Sequence, residues 1–185
     1  AIDDLRRLTI AVPGRLTSAT LALRLALGEV RTVIVPFDRI LEAVARGEHE
    51  AGLLIHEGQI TYADQGVGKA LDLGAWWLGE TGLPLPLGGN AIRRDLGGAS
   101  IAAIGSLLKK SIAYGLAHRE EALAYAMEYG RGLGRPQADR FVGMYVNEAT
   151  LDYGSRGRRA VQAFLDAGFE AGLIPRRVAV EFAEC

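Results

Sequence analysis

Residues 8–28 read LTIAVPGRLTSATLALRLALG, and the order of their parts decides the architecture. LTIAV (8–12) is apolar and β-branched, the pattern of a buried strand. Pro13-Gly14 breaks it, and TSATLALRLALG (17–28) carries helical spacing closed by Gly28. The alternation then repeats. RTVIVP (31–36) is a second short strand, and FDRILEAVARG (37–47) is a helix with Ile40, Leu41 and Val44 on one face, Asp38 near its start and Gly47 as its stop. AGLLIH (51–56) is a third strand. Strand, helix, strand, helix, strand implies parallel pairing and an α/β layer architecture.

Beyond residue 66 the pattern changes. Residues 69–73 and 85–94 look like strands joined by a short helix bearing Trp76 and Trp77, with Pro84 and Pro86 confining the second strand to an edge. Four helices are predicted next, over 100–118, 119–130, 136–147 and 155–173, the third with Pro136 at its start. Strands first and helices later divide the chain into an α/β lobe, 1–96, and a helical segment, 97–185, that must pack on something.

Composition bounds the function. The chain has 185 residues, 49% of them hydrophobic and 23% charged, with 21 Lys+Arg against 22 Asp+Glu and a net charge of −1. These values suit a soluble globular protein and argue against disorder. With no basic run to track phosphates, nucleic acid is not the expected partner. The apolar stretches fall short of a membrane span, and residues 1–12 lack the charged-then-apolar order of a signal peptide. Cys185 is the single cysteine, so an internal disulfide or cysteine-rich metal site is not available. A cytoplasmic setting is the natural reading, although secretion after removal of a signal fits the same residues. The chain opens on Ala1, and AIDDLRRL runs straight into a strand. Either processing or a start inside a larger fold accounts for that.

Four stretches could carry chemistry. In AVPGRLTSA (11–19) a strand leads through a glycine turn into hydroxyl residues that open a helix. Unpaired N–H groups and the helix dipole favour an anion there, and Thr17 and Ser18 can add hydroxyl donors. An N-cap role alone explains the same residues. His56 follows an apolar run at the carboxyl end of a strand, where ligands gather in parallel α/β sheets. It is either a packed residue or a proton carrier, and it faces the same sheet edge as Thr17 if the two strands are neighbours. His49 and His118 show no metal-ligand spacing with it, so no metal is expected. Glu57 would point to the opposite face of a continuing strand and is the weaker base. DLGAWWLGETGLPLPLGGN (72–90) could line a pocket for a flat ligand with Trp76 and Trp77, or simply anchor a helix. In YVNEATLDYG (145–154), helix capping accounts for Asn147 and Asp152.

Taken together, AVPGRLTSA, GLLIHEGQITY, DLGAWWLGETGLPLPLGGNAIRRDL and YVNEATLDYG resemble, in order and spacing, the 1,4-dihydroxy-6-naphthoate synthases of the futalosine route to menaquinone. The resemblance runs from about residue 7 to about 176. It implies the two-lobed fold of periplasmic solute-binding proteins, with ligand in the cleft between lobes. It implies a carbon–carbon lyase that converts cyclic dehypoxanthinyl futalosine to 1,4-dihydroxy-6-naphthoate without metal or organic cofactor. His56 of the IHE motif becomes the general base, and an imidazole with a reference pKa of about 6.5 suits proton abstraction near neutrality. Thr17 and Ser18, with Gly14 and Ala19 of the same segment, become the site for an acidic group of a small carboxylate substrate.

Family members carry a further first segment that builds much of the other lobe, and it is not in this sequence. The expectation is therefore that residues 97–185 normally complete a lobe whose sheet is elsewhere, and that helices 100–173 expose an apolar face. A homo-oligomer or pairing with that first segment would cover it. Two alternatives share the fold: a non-catalytic solute-binding module for a small carboxylate, and the chorismate dehydratase of the same pathway.

Overall fold

The computed structural model describes residues 2–129 and 133–183; Ala1, Gly130 and Cys185, which figure in the sequence reading, lie outside them. Contacts gather into two compact units, Ala1–Leu87 with Ala160–Val178, and Gly88–Arg159 with Ala179–Cys185. Among the described residues no helix is long and apolar enough to cross a membrane.

The first unit is built on a parallel sheet. After a short helix α1 (Ile2–Leu5), β1 (Thr9–Val12) pairs with β2 (Arg31–Ile34) on one side and β3 (Ala51–Gly52) on the other, giving the order β2-β1-β3. The register sets Thr9 opposite Arg31 and Ile10 opposite Ala51. Helix α2 (Ser18–Leu27) connects β1 to β2, and α3 (Phe37–Ala45) connects β2 to β3. Gly28 closes α2 at φ 76°, a conformation that glycine adopts without steric cost, and its N–H reaches Arg24 O. The apolar stripe of α3 buries Ile40 and Leu41, and Asp38, Arg39 and Glu42 remain exposed.

The third strand is shorter than the expected 51–56, and the register explains why. Leu53 N–H still donates to Ala11 O at 2.8 Å. Carrying the pairing of Ala11 with Gly52 two residues on sets Pro13 opposite Leu54. In a parallel ladder the next bond would run from Pro13 to Leu53 O, and proline has no N–H to give. The chain then turns into α4 (Gly58–Thr61) and a 3-10 turn (Tyr62–Gln65). The expected strands at 69–73 and 85–94 do not form. Residues 69–72 run irregularly into α5 (Leu73–Thr81), and 85–93 are irregular as far as a 3-10 turn at Arg94–Leu96. Alternation of leucine with Pro84 and Pro86 imitates a strand period while removing the donors a strand needs.

Two clusters make the core of this unit. Ile10, Val12, Leu23, Leu27 and Leu53 pack between the sheet and α2. Ala22, Trp77 and Phe164 form the other, where α2 meets α5 and the far half of α10 (Gly154–Glu170). Trp77 and Phe164 meet edge to face at 5.3 Å. Gly168 follows one turn later, where a Cβ would lie 2.7 Å from Ile174 Cδ1 and 3.2 Å from Leu21 Cδ1.

The second unit is helical. It contains α6 (Gly98–Ala117), α7 (Arg119–Met127), α8 (Arg135–Tyr145), α9 (Glu148–Leu151) and the first residues of α10. Arg119 joins α7 to α8, donating to the Asp139 carboxylate and to its carbonyl at 2.8 Å each. Leu123 and Ala138 are buried in this unit, but no residue of α6 is. Ile104, Leu107, Leu108 and Tyr114 of α6 stand exposed.

Helix α5 starts on Asp72, whose carboxylate accepts from Ala75 N–H at 3.0 Å. That bond holds the carboxyl below its ordinary value, with Lys69 adding to the effect and partial burial opposing it. A depressed carboxylate stabilises the fold above its unfolded value and loses that contribution as pH falls through the folded one. Asp72→Ala should therefore cost about 1 kcal/mol at pH 7, and the cost should shrink below about pH 4. Urea midpoints at pH 7 and pH 3 check this; an equal cost at both would overturn it.

Candidate functional site at the carboxyl edge of the sheet

The strand order sets the site. From β1 the chain crosses to β2 on one side, and from β2 it crosses back past β1 to β3 on the other. The carboxyl ends of β1 and β3 therefore flank the point where the winding direction reverses, the place where open α/β sheets bind ligands. The turn after β1 carries Gly14 and Thr17 and leads into Ser18 and Ala19 at the start of α2; the turn after β3 carries His56. The two strands are parallel neighbours, so both turns open on one sheet edge.

The first turn is an organised hydroxyl cluster. Thr17 caps α2, its Oγ1 accepting from Thr20 N–H at 3.1 Å. The Thr17 hydroxyl proton can reach Thr20 Oγ1 at 2.9 Å or Gly14 O at 3.2 Å. Thr20, the one buried polar residue among those described, donates its own hydroxyl to Gly14 O at 2.7 Å. Gly14 O is thus served by Thr20, and the Thr17 proton can turn outward at the loss of one neutral bond. Ser18 Oγ donates to Leu87 O at 3.0 Å. The N–H groups of Ser18 and Ala19, in the first helical turn, precede any carbonyl that α2 could offer them. Thr20 was not among the expected site residues, although it stands at the third helical position, whose N–H an N-cap hydroxyl accepts from.

His56 has φ 57°, the one non-glycine residue in the left-handed region among those described. That conformation costs an ordinary L-residue about 1–2 kcal/mol. Its imidazole is exposed and lies with ring centroid 4.4 Å from that of Phe37, the planes inclined at 40°. The strand does not continue, so the expected opposite-face placement of Glu57 is corrected: Glu57 lies in the helical turn that opens α4, and its carbonyl accepts from Ile60 and Thr61 N–H groups. Among the described residues no three His, Cys, Asp or Glu side chains come together as a metal set. Nothing in the sequence marks Phe37 as a neighbour of His56.

The remaining candidates have structural employment. Trp77 is buried and anchors α5, while Trp76 is half-buried beside it. Asn147 caps α9 through Ala149 N–H, and Asp152 accepts from Gly154 N–H. For the hydroxyl pair, Thr17→Ala should destabilise the fold by about 0.5–2 kcal/mol, the worth of an N-cap. Ser18→Ala removes one exposed bond and should cost about 0.5 kcal/mol or less. Denaturant unfolding of the two variants checks the ranking, and a larger loss for Ser18 would make it, and not Thr17, the anchor of the turn.

The chain is 48% identical over 160 residues to a 1,4-dihydroxy-6-naphtoate synthase of Thermus thermophilus, covering 86% of this chain and 59% of that one. It is 36% identical over 180 residues to the protein of the same name from Streptomyces coelicolor, covering 93% and 63%. The crystal structure of protein AF1704 from Archaeoglobus fulgidus superposes with a TM-score of 0.88 at 47% identity, over 92% of this chain and 64% of that one. The chain thus spans about three-fifths of the curated relatives it matches, 59% and 63%. With residues 1–170 matching the family described as Menaquinone biosynthesis, the chain belongs to that family.

Proposed function

We propose that this chain carries the proton-abstracting and carboxylate-holding edge of a 1,4-dihydroxy-6-naphthoate synthase. The reaction is the carbon–carbon lyase step from cyclic dehypoxanthinyl futalosine to 1,4-dihydroxy-6-naphthoate, in the cytoplasm, with a small carboxylate as the partner. The observation that carries the reading is the meeting of two turns at the reversal point of the sheet, one rich in donors and one bearing an imidazole. In this reading Thr17 and Ser18, with the Ser18 and Ala19 N–H groups, hold the acidic group. Gly14, without a side chain, keeps the turn low beside it. His56 accepts the proton. The same reading assigns residues 1–96 to the ligand-binding lobe of a two-lobed, solute-binding-protein-like fold and residues 97–185 to the completion of the other lobe, save that Ala160–Val178 pack with the first unit.

Two measurements test it in the full-length chain. Replacing Thr17 and Ser18 together by Ala should weaken binding of 1,4-dihydroxy-6-naphthoate by about 1–3 kcal/mol, the range for hydrogen bonds to a charged partner. Unchanged affinity by titration calorimetry would remove the anion site.

For the base, asparagine is the informative replacement, because it tolerates the left-handed backbone at residue 56 and cannot accept the proton. His56→Asn should lower single-turnover product formation by about 10²–10⁴-fold, with affinity little changed. Retention of most of the rate would make His56 a binding or packing residue; absence of turnover in the wild type itself would make the protein a carboxylate-binding module.

A further inference from the structure

His56 sits on a short, solvent-facing turn, and the torsion that swings an imidazole about its Cβ–Cγ bond is broad. A base must nevertheless present its in-plane lone pair to the proton it takes. Something must therefore restrict the ring.

Helix α3 supplies a candidate. Phe37, Ile40, Leu41 and Val44 recur at the spacing of one helix face. That face lies against β3 at unusually short range. A Cβ built on Gly52 would fall 2.5 Å from Ile40 Cγ2 and 2.9 Å from Val44 Cγ2, separations that real side chains do not tolerate. Glycine at 52 thus sets how closely α3 approaches the strand. One turn before Ile40, Phe37 is the first residue of α3 and stands at the same sheet edge as the turn after β3. Its ring reaches the His56 imidazole at 4.4 Å. The backbone of His56 is held independently: Leu53 ends the ladder on Ala11 O, and His56 O accepts from Gln59 N–H at 3.1 Å where α4 begins.

We infer that Phe37 is a positioning residue for His56, holding the plane of its imidazole at the sheet edge, and that Gly52 sets the distance by letting α3 lie against β3. The inference rests on His56 being the proton acceptor. A ring confined to the productive plane is pre-oriented, and misplacement of a reacting group by about 1 Å can cost 10²-fold in rate.

The test combines a spectroscopic and a kinetic reading. Phe37→Leu keeps apolar volume and removes the ring; Phe37→Tyr keeps the ring. In proton–carbon NMR spectra, the ring current of Phe37 displaces the His56 Cδ2–H and Cε1–H resonances. Phe37→Leu should move them toward free-imidazole positions, and Phe37→Tyr should leave them near wild type. In the full-length chain, Phe37→Leu should lower kcat by about 10- to 100-fold with KM little changed. Phe37→Tyr should restore most of the rate. Gly52→Ala, which forces α3 away, should reproduce both effects of Phe37→Leu. Unmoved His56 resonances in Phe37→Leu would overturn the contact. If Phe37→Leu turns over as wild type while His56→Asn is inactive, the inference falls and the base assignment stands. If His56→Asn keeps its rate, the base assignment falls and the inference falls with it.

Discussion

A single buried strand, hydrogen-bonded along both edges, constrains everything else in the α/β unit. Ala11 and Val12 are wholly buried, and the carbonyls of both are used at the strand's end: Ala11 O accepts from Leu53 and Val12 O from Val35. Because β1 is filled on both sides, the chain has to leave it one way and return the other. Had both crossovers run to the same side, the turns bearing Thr17 and His56 would have been separated by an intervening strand. Central placement of β1 is thus what gives two short turns a shared edge.

Much of this architecture is legible in the residues. The apolar, β-branched run at 8–12, the Pro13-Gly14 break and the Thr17-to-Gly28 frame lead to a strand, a turn and a capped helix with little ambiguity. The stripe of α3 and the four long helices are equally plain, because 3.6-residue periodicity is written locally. What fails is whatever depends on a partner. GLLI looks like strand to its end, and only the pairing register reveals that Pro13 lies opposite Leu54 and cuts the ladder. Leucines alternating with prolines at 83–87 mimic a strand for want of any local sign that no neighbour will accept them; Leu85 instead packs against the cluster of Ala22, Trp77 and Phe164. The left-handed turn at His56 and its ring contact with Phe37, nineteen residues away in sequence, belong to the same class. The ring contact also depends on α3 lying close to β3, where Gly52 leaves room for Ile40 and Val44.

On the proposed reading, the hydroxyl turn lets a capping role and a ligand-holding role coexist. Thr17 Oγ1 accepts from the helix through one lone pair, while its proton has a choice of acceptors. Thr20 satisfies the carbonyl that would otherwise claim that proton. A neutral hydrogen bond contributes about 1 kcal/mol net, and one to a charged group more, so a carboxylate arriving at this turn can displace the internal bond without unravelling the helix start. The cap holds the donor in place; the buried neighbour leaves it available.

The left-handed backbone at residue 56 also says what selection for stability alone would do at this turn. A chain optimised only to fold would carry glycine at this position, since glycine relieves the steric conflict that histidine endures. On the proposed reading the imidazole is there for the ligand, carried on a backbone conformation that glycine adopts more readily. Its removal to hydrogen would leave the turn relaxed and open a ring-sized space beside Phe37. A small diffusible base from solution could enter such a space, and the side chain would have been exchanged for a reagent.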